Sequence, residues 1–123
     1  MVVHDEDFLR RAAAAKERVP QLAPEGLAER LAADATLIDV REPGEVAQDS
    51  LAGAVNIPLD GLAERIVVAV PDQSTPIVCF CAGGNRGSLA AAELLDLGYS
   101  NVCSIAGGKR ALDAVDGPQH GET

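Results

Sequence analysis

The stretch that decides the fold is residues 75–87, with the sequence TPIVCFCAGGNRG. Residues 75–80 form a short apolar run, which is typical of a strand buried on both faces of a sheet. Cys81, two glycines and an asparagine follow at once, and then a run of helical length that ends at Gly98. This order predicts a buried strand, a tight turn and a helix, with Cys81 as the first residue past the strand.

The rest of the chain alternates in the same way. Apolar runs predict further strands at 35–40, 53–58 and 101–105, and residues 41–44 are expected to form a turn. Helical spacing predicts helices at 5–18, 24–32 and 60–68, the third capped by Asp60, and a short last helix from Gly107. Strands that alternate with helices indicate an α/β fold with a parallel sheet covered on both faces. In such sheets the chemistry lies beyond the carboxyl ends of the strands, which is where Cys81 is placed.

Composition and charge exclude several classes of protein. A chain of 123 residues suits one domain, and an apolar fraction of 47% is too high for a disordered chain. No apolar stretch has the length of a membrane span, and the first residues carry acids where a secretory signal would carry Lys or Arg, so we expect a cytoplasmic protein. The net charge of −9 repels nucleic acid and anionic membranes, and we expect neither as a partner.

The three cysteines do not suggest a disulfide framework or a metal site. Their number is odd, Cys79 and Cys81 are spaced as C-x-C, and the only histidines lie at positions 4 and 120. We therefore expect free thiols and no bound metal. Cys79 and Cys103 fall inside predicted strands, where a cysteine usually acts as a small, inert apolar side chain. Cys81 differs because it stands at a strand end before a glycine-rich loop.

The loop that follows Cys81 has the features of an anion site. Two glycines and an asparagine let the backbone curl and turn its N–H groups inward, and the start of a helix favours negative charge. Here the anion would be the thiolate of Cys81, which is the nucleophilic form of cysteine. Arg86 adds a positive charge that could hold an anionic donor. A nucleotide loop is disfavoured because no Lys-Ser or Lys-Thr follows the glycines.

These segments together resemble the rhodanese family. The matching stretches are 37–43 (LIDVREP), 51–59 (LAGAVNIPL), 81–86 (CAGGNR), and 98–102 (GYSNV) with the glycine pair at 107–108. The resemblance covers about residues 20–112 as a rhodanese-like domain. It leaves residues 1–19 as an N-terminal helical extension, which packs on the domain or forms a dimer contact, and residues 113–123 as a polar C-terminal tail.

The resemblance implies a three-layer rhodanese-like fold with a central five-stranded, mainly parallel sheet and helices on both faces. It also implies a sulfurtransferase that needs no cofactor, with Cys81 as the catalytic nucleophile that carries a persulfide. The donor would be a small anion such as thiosulfate, and the acceptor a thiol, cyanide or a protein thiol. Asp39 and Arg41 match positions that support the site. The loop expected to surround the persulfide consists of Ala82, Gly83, Gly84, Asn85, Arg86 and Gly87.

The chain also departs from the family pattern. A serine often follows the loop arginine, a histidine often precedes the segment at 51, and a tryptophan often follows the double glycine; here these positions hold Gly87, Ser50 and Leu112. Three alternatives stay open: a persulfide carrier, a binding or regulatory module, and a phosphatase or arsenate reductase on the same fold. The spacing from Cys81 to Arg86 is C-x-x-x-x-R, one residue shorter than in the related phosphatases, which disfavours the last of these.

Overall fold

The structure is a computed structural model that describes residues 5–121, and the side chains of residues 5–115. The strands are β1 (Gln21–Leu22), β2 (Thr36–Asp39), β3 (Val55–Asn56), β4 (Ile77–Phe80) and β5 (Val102–Ile105). The helices are α1 (Glu6–Arg18), α2 (Leu27–Ala32), α3 (Pro43–Gln48), α4 (Leu62–Ala69), α5 (Asn85–Asp96) and α6 (Gly108–Gly121), and a 3₁₀ turn at Pro24–Gly26 leads into α2.

The five strands form one parallel sheet in the order β1-β5-β4-β2-β3. The predicted α/β fold with a five-stranded sheet is therefore confirmed. In the register of the two central strands Asp39 pairs with Phe80, and the Val40 N–H donates to the Phe80 carbonyl at 3.0 Å. Both strands consequently end at the same edge of the sheet, and the residues that follow them are neighbours.

Helices cover both faces of the sheet and create two apolar layers. Along β4, Ile77 and Cys79 join the layer that also holds side chains of α1, α4 and α5, while Val78 and Phe80 join the layer beneath α2 and α6. All four side chains are at most 1% exposed. A short strand buried on both sides in this way explains why its sequence is continuously apolar rather than alternating.

Helix α1 packs on α5 and matches its predicted bounds. Asp5 caps it, with its carboxylate accepting the Phe8 N–H at 2.7 Å, and its small buried side chains are Ala12 and Ala15. An exposed ion pair of 2.7 Å joins the end of α1 at Arg18 to the end of α5 at Asp96. The N-terminal extension thus contacts α5, whose first residues belong to the loop of residues 81–87, called here the cysteine loop. No helix among the described residues is long and apolar enough to cross a membrane.

Several local predictions were wrong. The turn expected at 41–44 is instead the entry to α3, where Pro43 takes the first helical position and the Glu45 carboxylate accepts the Glu42 N–H at 3.1 Å. Asp60 does not cap α4. The helix begins at Leu62, and the residue in the N-cap position is Gly61, which has a φ of +99°. Strand β1 was missed since it has only two residues, and its pairing with β5 is not visible in the sequence.

The last helix is longer than the short helix that the sequence predicted. It continues through Gly121, so the backbone of residues 113–121 is helical. The Lys109 ammonium binds the Asp113 carboxylate, one helical turn later, at 2.9 Å. This contact joins residues on the two sides of position 112, where the sequence predicts the end of the domain. Leu112, buried to 2% exposure, anchors the same turn on the sheet.

Candidate active site

The Cys81 thiol lies between the end of β4 and the start of α5, as the sequence predicts. Its Sγ accepts the Gly84 N–H at 3.1 Å and the Gly87 N–H at 3.2 Å. The residue is 1% exposed, and these two amides are the backbone groups that donate hydrogen bonds to its sulfur. Backbone donors aimed at sulfur from the N-terminal turn of a twelve-residue helix stabilise negative charge on that atom.

Two glycines make the tight curl of the loop possible. Gly84, the residue before α5, has a φ of +109°, a conformation that other residues rarely adopt. Gly108 lets the start of α6 approach from the other side, because a Cβ there would lie 2.5 Å from the Cys81 carbonyl oxygen. The Lys109 N–H donates to that same carbonyl at 2.8 Å. Helices α5 and α6 therefore hold the cysteine loop from its two ends.

Gly87 stands where the family pattern often has serine, and the structure gives a physical reason. A Cβ at Gly87 would lie 3.0 Å from the Ser104 Oγ and 3.2 Å from the Phe80 Cα. Those are tighter than ordinary side-chain contacts, and the second atom is backbone that cannot rotate away. The hydroxyl of Ser104 thus occupies space that a larger residue at position 87 would need, and Gly87 keeps its N–H close to the Cys81 sulfur.

The loop arginine is held in an ion pair. Two nitrogens of Arg86 contact the two Glu45 carboxylate oxygens at 2.7 and 3.1 Å, and the Arg86 side chain is only 12% exposed. The hydrogen bond from Arg86 lowers the pKa of Glu45 to about 2, and the same contact raises the pKa of Arg86. The positive charge of Arg86, which the sequence predicts would hold an anionic donor, is therefore already neutralised by Glu45 of α3.

The predicted supporting residues form a second, fully buried pair at the end of β2. The Arg41 guanidinium contacts both Asp39 oxygens, at 2.9 to 3.2 Å, and the Arg41 N–H donates to the same carboxylate at 3.0 Å. This hydrogen bonding raises the pKa of Arg41. Arg41 also donates to the Asp49 carbonyl at 2.6 Å, just beyond α3. The pair thereby fixes the helix that presents Glu45 to Arg86.

A pocket of about 370 Å³ opens over the sulfur. Its walls come from the cysteine loop and from one side chain each of α3 and α6: Glu45, Cys81, Ala82, Gly83, Asn85, Arg86 and Arg110. A larger cavity of about 870 Å³ also borders Glu45 and Arg86 and receives Phe8 from α1. The smaller pocket is the one that gives a ligand access to the thiol, because Cys81 does not line the larger one.

The other two cysteines have different surroundings. Cys79 is completely buried, and burial raises the pKa of its thiol far above the usual range. Cys103 is 2% exposed, and burial raises its pKa as well, although the Arg30 guanidinium 3.8 Å from its sulfur opposes the shift. All three cysteines are free thiols. Neither Cys79 nor Cys103 lines the pocket over the cysteine loop.

The structure brings the predicted loop residues together around one sulfur and places Asp39 and Arg41 at the neighbouring strand end. Sequence reasoning missed Glu45, Gly108 and Arg110. Glu45 had a local signal, a proline followed two residues later by an acid, which is typical of a helix start. Arg110 had none, because its approach to the loop depends on how α6 meets the sheet. Within the described part of the chain, no three His, Cys, Asp or Glu side chains converge to hold a metal.

Two sequence comparisons relate this chain to known proteins. The family model described as Rhodanese-like domain matches residues 23–114. Thiosulfate sulfurtransferase PspE of Escherichia coli is 39% identical over 70 residues, a match that spans 57% of this chain and 67% of PspE. The range matched by the family model includes the cysteine loop, Asp39 and Arg41 as part of a longer stretch. Neither comparison assigns a role to any residue of this chain.

Solved structures show the same fold. The human single-domain sulfurtransferase TSTD1 is 30% identical with a TM-score of 0.66, over 75% of this chain and 93% of that one. A protein of Rhodopseudomonas palustris described as a possible tyrosine phosphatase is 24% identical with a TM-score of 0.75, over 94% of this chain and 95% of that one. The second likeness shows the fold alone, so the choice between the two chemistries depends on the site.

Proposed function

This chain belongs to the rhodanese-like family and is an enzyme of the thiosulfate sulfurtransferase type, and we propose that it transfers sulfane sulfur through a persulfide on Cys81. The observation that supports this most strongly is the pair of N–H groups, from Gly84 and Gly87, that point at one buried sulfur. A nucleophile needs its thiolate form, and amides at a helix start favour that form without a neighbouring base.

In the first half-reaction the Cys81 thiolate attacks the outer sulfur of thiosulfate. A Cys81 sulfur–sulfur bond forms, the sulfur–sulfur bond of thiosulfate breaks, and sulfite leaves with its electron pair. The enzyme then holds a persulfide with one negative charge on the terminal sulfur. The Gly84 and Gly87 amides contact the Cys81 sulfur beside this terminal atom. Amides placed where negative charge develops stabilise an anion in a transition state.

In the second half-reaction an acceptor nucleophile attacks the terminal sulfur. The bond between that sulfur and Cys81 breaks, and Cys81 leaves as a thiolate stabilised again by Gly84 and Gly87. Cyanide, a small thiol or a thiol on another protein can each serve as the acceptor in this scheme. Asp39 and Arg41 take no part in the bond changes; as positioning residues they hold α3 and so the Glu45–Arg86 pair at the pocket.

The shape of the loop favours sulfur over phosphate chemistry. A phosphoryl group needs donors for several oxygens around its centre, and in the phosphatase alternative the loop arginine would supply some of them. Here Arg86 is bound to Glu45, and the loop is one residue shorter than the phosphatase spacing. A persulfide adds a single atom to the cysteine, which a small ring of amides can accommodate.

Two assays on the same protein preparation distinguish sulfur transfer from phosphate hydrolysis. The protein is assayed with thiosulfate and cyanide, by thiocyanate formation, and with an aryl phosphate, by release of the phenol, alongside the Cys81→Ser variant. We expect thiocyanate from the wild type, none above the uncatalysed rate from Cys81→Ser, and no phosphate release from either. Phosphate release that depends on Cys81, without sulfur transfer, would establish a phosphatase instead. Transfer only to a protein thiol, with no thiocyanate, would identify a carrier.

A further inference from the structure

We propose that Arg110, on the first turn of α6, binds the negatively charged end of the sulfur donor. The proposal rests on the function proposed above, and it adds a donor-binding residue outside the loop. Arg110 lines the 370 Å³ pocket together with Cys81, and its side chain is exposed. No carboxylate pairs with its guanidinium within residues 5–115, the part of the chain whose side chains are described.

The other cations beside the loop are already bound to carboxylates. Arg86 contacts both oxygens of Glu45. Lys109 lies next to Arg110 in sequence, but its side chain is only 8% exposed and its ammonium contacts Asp49 and Asp113, each at 2.9 Å. A protein of net charge −9 repels an approaching dianion at long range, so the donor needs a local positive charge without a partner. Arg110 supplies it.

The backbone fixes Arg110 relative to the reactive sulfur. Its N–H donates to the Ala82 carbonyl at 3.1 Å, one residue after Cys81, so the base of the side chain is tied to the loop. The guanidinium then lies over the loop at Gly83, where its Nη1 is 2.9 Å from the position that a Cβ would take. The absence of a side chain at Gly83 leaves room for this placement.

The chemistry of the guanidinium suits the donor. Its planar fork of N–H groups can donate two parallel hydrogen bonds to oxygens of a sulfonate, while the outer sulfur of the donor points to the Cys81 thiolate. When the sulfur–sulfur bond breaks, the electron pair moves onto the sulfite that Arg110 holds. Arg110 therefore binds the part of thiosulfate that becomes the leaving group.

The test measures charge selectivity at Cys81 in two independent ways. The first is the thiosulfate concentration that gives half the maximal rate of persulfide formation, followed by the mass of the intact protein. The second is the ratio of alkylation rates of Cys81 with iodoacetate, an anion, and iodoacetamide, its neutral analogue. Both reagents need the same thiolate, so a change in the form or exposure of the thiol cancels in the ratio.

The variants are Arg110→Gln, Arg110→Lys and Arg65→Gln, the last removing the same charge from an exposed position on α4 that lines neither pocket. For Arg110→Gln we expect the half-saturating concentration to rise about tenfold or more. We expect the alkylation ratio to fall by about three- to tenfold, an effect that salt reduces. Arg110→Lys should restore part of both, and Arg65→Gln should leave both unchanged.

An alkylation ratio in Arg110→Gln equal to that of the wild type would overturn the proposal, as would an equal fall in Arg65→Gln. Failure of the proposed function has a different signature. If the wild type forms no persulfide with thiosulfate but the alkylation ratio still falls in Arg110→Gln, the anion-binding role of Arg110 stands and the sulfur transfer does not.

Discussion

Cys79 and Cys81 are two residues apart, and both are almost completely buried on the same side of the sheet, yet their sulfurs have opposite surroundings. Cys79 lies within β4, where the backbone N–H groups belong to the sheet and burial raises the pKa of the thiol strongly. Cys81 lies just past the strand, where the amides of Gly84 and Gly87 turn back to its sulfur. Because the two thiols are almost equally buried but differ in their backbone donors, we expect those donors to set the difference in their reactivity.

Replacing Cys81 and Cys79 in turn tests this difference between the two thiols with the largest expected effect. We expect Cys81→Ser to reduce sulfur transfer to the uncatalysed rate while the fold is kept, because a serine hydroxyl ionises far too weakly to replace a thiolate. Cys79→Ala should keep the transfer rate and lose about 1–2 kcal/mol of unfolding free energy, as a small cavity forms in the core. Thiocyanate formation and denaturant unfolding of both variants measure the two effects, and residual catalysis in Cys81→Ser would contradict the assignment.

Alkylation of the wild-type protein sharpens the same contrast without any substitution. At neutral pH we expect iodoacetamide to label Cys81 at least about tenfold faster than Cys79 or Cys103, since only Cys81 accepts the loop amides and lines the pocket. Peptide mapping over a time course gives the three rates. Equal rates, or faster labelling of Cys103, would mean that the loop amides do not activate Cys81.

The packing that brings the second amide to the sulfur can be tested at Gly87. Gly87→Ala places a Cβ 3.2 Å from the Phe80 Cα, so we expect a loss of about 1–3 kcal/mol of unfolding free energy and slower sulfur transfer. The control is Gly44→Ala in α3, where a Cβ meets nothing within 4 Å and alanine should stabilise the helix by about 0.5–1 kcal/mol. Equal effects of the two changes would show that the space at Gly87 is not restricted.

The smallest effect concerns the Glu45–Arg86 pair. The folded pKa of Glu45 is about 2, below its ordinary value of 4.5, so the pair stabilises the fold above about pH 4.5 and loses this contribution as the pH falls toward 2. Removing the carboxylate should cost about 1 kcal/mol at pH 7 and progressively less below pH 4.5.

Glu45→Gln is compared with Glu17→Gln, which makes the same charge change on an exposed part of α1. Urea unfolding from pH 7 to pH 2.5 gives the difference in unfolding free energy between each variant and the wild type at each pH. A constant difference for Glu45→Gln across this range would show that the ion pair does not stabilise the fold. If the difference in unfolding free energy between Glu17→Gln and the wild type also decreases at low pH, general charge repulsion rather than the Glu45–Arg86 pair causes the pH dependence.

The sequence was informative where the determinants are local. The apolar run before Cys81 and the glycines after it predict the strand, the turn and the helix, and these together place the thiol. Asp39 was indicated by the resemblance to the rhodanese family, and in the structure it is the last residue of β2, the strand beside β4. What the sequence could not show is which distant side chains meet the loop. The pairing of Arg86 with Glu45, 41 residues apart, and the approach of Arg110 to Ala82 depend on the packing of α3 and α6.

The central claim is that Cys81 carries the transferred sulfur, and one measurement tests it directly. The reduced protein is incubated with thiosulfate, its intact mass is recorded, and the modified residue is located by peptide mapping. We predict a gain of one sulfur atom per chain, located on Cys81 and removed by cyanide or a small thiol. No gain in mass, or a sulfur on Cys79 or Cys103 in its place, would contradict the account.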